Sequence, residues 1–133
     1  MKGKVQIETV GSVVLKGNPL GDPRLRQVPI YLPPSFGTVR GRLYPVIYCL
    51  AGFTGAGRTM INYNPWKESL PERFDRLVAA GRAAECLLVM PDCFTAFGGS
   101  QYLNSSATGR YEDHVVSEMV AFVEDKFPVC REA

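Results

Sequence analysis

No apolar run in this sequence approaches the length of a membrane span, and no block of like charge or repetitive polar stretch interrupts it. The opening, MKGKVQIETV, alternates charge with β-branched residues instead of leading into an uninterrupted apolar signal segment. These absences make a soluble, cytoplasmic protein with no membrane partner the expectation. The four cysteines, Cys49, Cys86, Cys93 and Cys130, include no Cys-x-x-Cys pair. Neither a zinc site nor a disulfide scaffold is indicated, and free, mostly buried thiols are expected. Fifteen basic and thirteen acidic residues leave a net charge of +2, too little for the electrostatic footprint of nucleic-acid binding. The charge is uneven: eight basic and two acidic residues up to Arg58, seven and eleven after it. None of it forms a block, so a solvated surface is the reading.

What is present is a folding sequence. At 133 residues with 46% hydrophobic content, the chain is one domain long and can bury roughly two thirds of the surface of its unfolded form. Val5, Ile7 and Thr9 alternate with Gln6 and Glu8, the period of a strand with one wet face. A second apolar run, Val13, Val14 and Leu15, leads into a glycine- and proline-rich turn at 17–23. Another strand is predicted over 26–32, with Pro29 placing it at or near a sheet edge and Pro33-Pro34 ending it.

Tyr44-Pro45-Val46-Ile47-Tyr48-Cys49-Leu50 and Leu87-Leu88-Val89-Met90 are apolar on both faces, as strands covered by helices on both sides are. Between them, Ser69 and Glu72 have capping-box spacing, Pro71 falls in the first turn and Gly81 follows the last. Leu70, Phe74, Leu77 and Val78 form the apolar stripe of that helix. A second helix is predicted over 112–127, with Val116, Met119, Val120 and Val123 facing the core and Pro128 just past its end. Strand, helix, strand, helix is the α/β pattern. A further strand is due where the sequence ends at Pro128-Val129-Cys130-Arg131-Glu132-Ala133.

The segment Val28-Pro29-Ile30-Tyr31-Leu32-Pro33-Pro34-Ser35-Phe36, followed by Tyr44-Pro45-Val46-Ile47-Tyr48-Cys49-Leu50-Ala51-Gly52, resembles the opening of the putative-esterase family of the α/β-hydrolase superfamily. That family includes S-formylglutathione hydrolases and feruloyl, tributyrin and enterochelin-type esterases. Pro91-Asp92-Cys93, then Gly98-Gly99-Ser100-Gln101-Tyr102-Leu103-Asn104-Ser105, then Tyr111-Glu112-Asp113, is similar to a later passage of the same family. The order and spacing match through essentially the whole chain. The resemblance implies one partial domain over 1–133: the amino-terminal portion of an α/β-hydrolase, with antiparallel leading strands, then parallel strands with flanking helices, truncated before the nucleophile elbow.

In such a hydrolase the serine sits in Gly-x-Ser-x-Gly on a strand-to-helix turn, with the acid and histidine later in the chain. None of these is found here. Ser100 follows Gly98-Gly99 but precedes Gln101-Tyr102, and reads as a loop serine. The chain is therefore expected to be inactive alone, as a fragment of a serine carboxylic-ester hydrolase whose complete parent takes a small ester substrate and needs no cofactor. By the resemblance, the Phe53 N–H is one oxyanion donor, with Gly52 letting the backbone turn; the plainer alternative is a simple strand-to-loop turn. Ala51 stands where the family commonly has histidine. Tyr102 and Asn104 either lie by the substrate pocket or only tie down a long loop. Glu112 opens the second helix, where a carboxylate suits the dipole.

Three other readings compete. Gly52-Phe53-Thr54-Gly55-Ala56-Gly57-Arg58-Thr59 follows a buried strand and nearly fits a phosphate loop, and Asp92 could sit where such proteins bind magnesium. Against this, Arg58 replaces the lysine, and Asn64-Pro65 disfavours the helix that should follow. A thiol hydrolase pairing Cys93 with His114, the single histidine, is weakened by His114 sharing the expected wet face with Glu118, Ala121 and Asp125. The third is a non-catalytic binding or interaction module. A bare strand edge at 44–50 would then expose apolar surface and favour self-association.

Overall fold

The computed structural model describes residues 1–131; Glu132 and Ala133, the end of the region where a strand is due, lie outside the described residues. The elements in order are β1 (Lys4–Gly11), β2 (Leu25–Leu32), β3 (Val46–Tyr48), a 3-10 turn (Gly57–Ile61), α1 (Leu70–Ala79), β4 (Leu87–Val89) and a two-strand hairpin, β5 (Asn104–Ser105) and β6 (Gly109–Arg110). A continuous helix over 111–126 follows, made of α2 (Tyr111–Asp113), a π-helical stretch (His114–Met119) and α3 (Val120–Lys126). The main sheet has the order β1-β2-β4-β3. β1 and β2 are antiparallel through eight paired positions, β2 is antiparallel to β4, and β3 is parallel to β4. This is the mixed sheet of an α/β-hydrolase, with the expected antiparallel lead and parallel continuation.

β4 has no exposed face: Leu87, Leu88 and Val89 are all buried. On one side Val28, Ile30, Leu32, Leu87 and Val89 pack with Met119, Val123 and Phe127 of the last helix. On the other, Tyr31, Leu88 and Met90 pack with Phe74 of α1, whose ring meets Tyr31 edge-on at 5.6 Å between centroids. α1 begins as its sequence dictates. Ser69 and Glu72 form the capping box, Pro71 lies in the first turn, and Gly81 adopts the left-handed conformation after the end (φ 68°). Its stripe is only half-buried, with Leu70 at the exposed boundary.

Four expectations are corrected. β2 is not an edge strand, since β1 and β4 flank it. Pro29 is tolerated there because its carbonyl turns toward Met90 N–H (3.0 Å) just beyond the last β2–β4 pair, Ile30 with Val89, so the missing N–H falls where that ladder has ended. β3 is shorter than its apolar run and is open on one side, leaving Ile47 48% exposed. Val13 is likewise exposed, in a turn that buries Leu15. Of the thiols only Cys86 and Cys93 are buried; all four are free, as expected.

The fourth correction is in the last helix. Val116, expected in the core, is 59% exposed, and His114, expected in water, is fully buried. The buried row runs Tyr111, Val115, Met119, Val123, Phe127, a strict spacing of four. An α-helix of 3.6 residues per turn drifts off such a row, and the wider π turn over His114–Met119 keeps it on one face. His114 Nδ1 meets the Glu118 carboxylate at 2.9 Å. Glu118 also accepts from the Ser12 hydroxyl and from the amides of Val13 (2.7 Å) and Val14 (3.0 Å), clamping the β1–β2 connection to the helix.

Burial pushes the Glu118 carboxyl up, but hydrogen bonds from Ser12, His114, Val14 and Val13 outweigh it and hold it below the ordinary value. Asp75, on α1, is the same case: burial is outweighed by the amides of Gly3 and Lys2 and by the Tyr31 hydroxyl. Carboxyls depressed on folding contribute stability that is complete above their unfolded values, 4.5 and 3.8, and that is lost as the pH falls through the folded ones. The urea midpoint should therefore decline from about pH 5 downward. Asp75→Asn should lower the neutral-pH midpoint and flatten that acid slope; an unchanged slope contradicts the assignment.

Candidate functional site

Two loops meet beyond the carboxyl ends of the parallel strands β3 and β4. The first leaves β3 through Ala51 and Gly52 and folds into a turn closed by Gly55 N–H to Gly52 O (2.9 Å). Thr54 takes a left-handed backbone (φ 65°) in that turn, a conformation that costs a non-glycine residue about 1–3 kcal/mol and persists only where its surroundings impose it. Here the Thr54 N–H is fixed on Gly98 O at 2.8 Å. The neighbouring Phe53 N–H makes no hydrogen bond among the described residues.

The second loop, after β4, is held from within by Thr95. Its hydroxyl donates to Gly99 O (2.6 Å) and accepts from the amides of Phe97 (3.2 Å) and Gly99 (3.3 Å). Gly98 is required twice over: its φ is 86°, and a Cβ there would come within 3.1 Å of the Phe53 ring. Gln101 and Tyr102 are both left-handed (φ 55°), which aims the Tyr102 hydroxyl back at Ala51 O, 2.6 Å away. Three strained non-glycine residues thus cluster where the two loops touch.

Between the loops lies a cavity of about 150 Å³ whose lining includes Gly52, Phe53, Cys93, Ser100 and Tyr102. Of the residues singled out in the sequence, Gly52, Phe53 and Tyr102 are brought together here. Asn104 is not in the lining; its carboxamide oxygen accepts the Asp113 N–H (3.2 Å), tying the β5–β6 hairpin to the start of the last helix. Ser100 is nearly buried on its loop, its hydroxyl accepting from Tyr102 N–H (3.3 Å). Glu112 is exposed in the first helical turn. A wider depression of about 520 Å³, lined by Trp66, Glu68 and Arg76, shares no residue with this cavity.

The rival chemistry finds little support in this arrangement. Burial, followed by the nearby Asp92 charge, pushes the Cys93 thiol up to about 12, the opposite of what a thiolate nucleophile needs. His114 is engaged with Glu118. In the glycine-rich stretch, Gly57 is explained by packing: a Cβ on it would sit 1.9 Å from Met90 O. Arg58 is bonded to Gln27, and the 3-10 turn that follows has only five residues.

The sequence reading missed Arg26. It lies on β2 in step with Val28, Ile30 and Leu32, so its side chain falls on the core face, and that parity was the available signal. The guanidinium is buried. It donates to Phe94 O (2.8 Å) and to the Tyr111 hydroxyl (2.8 Å), and lies 3.5 Å from the Asp92 carboxylate. One cation thus fixes the β4 loop to both the sheet and the last helix. Asp22, which accepts from Ala96 N–H (3.2 Å), pins the same loop from the 17–23 turn.

Two substitutions test these supports. Gly57→Ala should destabilise the chain by about 1–3 kcal/mol, because backbone, not a flexible side chain, occupies the space. Tyr102→Phe should cost about 0.5–1.5 kcal/mol for the lost bond to Ala51 O. Both are read from urea midpoints; a neutral Gly57→Ala would mean that the loop does not rest on β4.

No family model matches the sequence, and no curated protein matches it. Solved structures do. The chain is similar to a ferulic acid esterase at 26% identity and TM-score 0.65, over 96% of this chain and 44% of that one. It is similar in fold to the feruloyl esterase module of Clostridium thermocellum (16% identity, TM-score 0.72, 98% and 38%). An S-formylglutathione hydrolase from Agrobacterium tumefaciens gives 16% identity and TM-score 0.69 over 97% and 46%. The chain spans less than half the length of each of these structures. It has the α/β-hydrolase fold, and over nearly all its length it is similar to part of the serine esterases that the sequence resembles.

Proposed function

We propose that the chain is part of a serine carboxylic-ester hydrolase and supplies one backbone donor of the oxyanion hole, the Phe53 N–H. The observation that carries this reading is that amide: it has no partner among the described residues, at the rim of a cavity, in a turn pinned by Thr54 to Gly98 and by Tyr102 to Ala51. Ester cleavage places negative charge on the former carbonyl oxygen, and a donor held in place beforehand stabilises that charge without reorganising. Strain at Thr54, Gln101 and Tyr102 is consistent with a loop pair held in one geometry for such a purpose.

In a complete enzyme of this kind the second donor is the amide after the nucleophile, and histidine activates the serine for acyl transfer. The sequence contains no Gly-x-Ser-x-Gly. Ser100 has its hydroxyl turned to the Tyr102 amide, with no histidine or acid bonded to it. The chain alone therefore binds part of the substrate's surroundings and turns nothing over; its substrate class in the whole enzyme is a small carboxylic ester.

The test is hydrolysis of p-nitrophenyl acetate by the purified chain, followed by phosphonate labelling and mass detection. No turnover above buffer and no adduct are expected. Turnover with an adduct on Ser100 would overturn the reading that the nucleophile lies outside this sequence.

A further inference from the structure

The two edges of the main sheet are treated differently. β1, at one edge, carries Lys4, Gln6 and Glu8 at alternate positions, the charged residues that discourage edge pairing. β3, at the other, lies in a stretch with no charged residue from Leu43 to Gly57. Leu43 and Ile47 are exposed there. The edge is also unpaired in a specific way. Pro45 O and Cys49 N–H face β4, bonding to Leu87 and Val89 (2.9 and 2.8 Å). Tyr44 faces outward, its N–H and C=O taken by Pro128 O and Cys130 N–H (both 3.0 Å) in a single parallel bridge to Val129. By the alternation of a strand, the backbone groups of Val46 and Tyr48 also face outward. No strand pairs with them on that side among the described residues.

The geometry points to a second copy of this chain as the occupant of that edge, joined as an antiparallel β3–β3 pair about a two-fold axis through Ile47. Val46 of each copy then faces Tyr48 of the other, and their outward N–H and C=O groups satisfy one another. Ile47 meets its own counterpart at the centre, where side chains across a non-bonded pair stand about 4.5–5.5 Å apart at Cβ. Two features select a copy over an unrelated partner. Beside β3 lies a groove of about 330 Å³, lined by Val46, Tyr48, Val120 and Val129, whose rim carries one acid, Glu124, and one base, Arg131. An isologous interface needs such a self-complementary set, each residue finding its opposite on the other copy. The bridge at Tyr44 also blocks the edge below Val46, limiting pairing to a short segment that a two-fold closes and a filament does not. This inference does not rest on the hydrolase reading, and a change in one leaves the other standing.

Sedimentation velocity of the whole chain from low to high micromolar concentration tests it, together with residue-resolved amide exchange. The weight-average mass should rise from 14.7 kDa toward twice that value, with the Val46 and Tyr48 amides exchanging at least tenfold more slowly in the dimer than after dilution. Ile47→Lys, whose backbone groups face β4 and whose side chain is exposed, should weaken association at least tenfold with an unchanged circular dichroism spectrum. A wild-type chain that stays monomeric overturns the proposal. So does a dimer in which the Val46 and Tyr48 amides exchange as fast as in the diluted protein, a readout that stands even if the variant folds poorly.

Discussion

Everything in this molecule is arranged around a short strand that has no wet face. β4 is hydrogen-bonded on both edges, antiparallel to β2 and parallel to β3, and its side chains are buried above and below the sheet. A strand in that position forces a layer onto each side. α1 supplies one, meeting Tyr31, Leu88 and Met90, and the last helix supplies the other, meeting Leu87 and Val89. The parallel arrangement in turn obliges the chain to leave β3 and β4 at the same end, so two loops converge there.

Those loops are positioned by polar contacts that would be costly to leave unmade. The buried Arg26 guanidinium would be expensive to desolvate without partners; it is compensated by Phe94 O, the Tyr111 hydroxyl and Asp92, and so fixes the start of the β4 loop. Tyr102 and Gly98 then fix the β3 loop to it. The result is a small cavity whose rim is rigid backbone, the kind of surface that can present a donor to a developing charge without first reorganising.

Much of this was legible in the residues. The capping box at Ser69 and Glu72, the doubly apolar run at Leu87-Leu88-Val89-Met90 and the alternation at Val5, Ile7 and Thr9 each encode a local element through short-range chemistry, and each element forms. The failures share a different cause. Pro29 reads as an edge signal only if every N–H of a flanked strand must bond, and the β2–β4 ladder ends one position short of needing it. His114 and Val116 exchange places because a π turn, imposed by the demand for a buried row of spacing four, rotates the helix face, and no local propensity announces it. Of the candidate site, Gly52, Phe53 and Tyr102 were found through family resemblance. Asn104 shares that motif but is spent on the helix start, and the Arg26 hub required knowing which face of β2 is inward.

The claim on which the functional account rests is that the Phe53 amide is a free donor held in a fixed turn. Residue-resolved hydrogen exchange on the native chain tests it directly, by comparing two adjacent amides. The account predicts that Thr54, bonded to Gly98 O, is protected while Phe53 exchanges near the rate of an unstructured peptide. Protection of Phe53 would show that its N–H is already committed within the protein, and that the turn after β3 is a structural connection without a donor to offer.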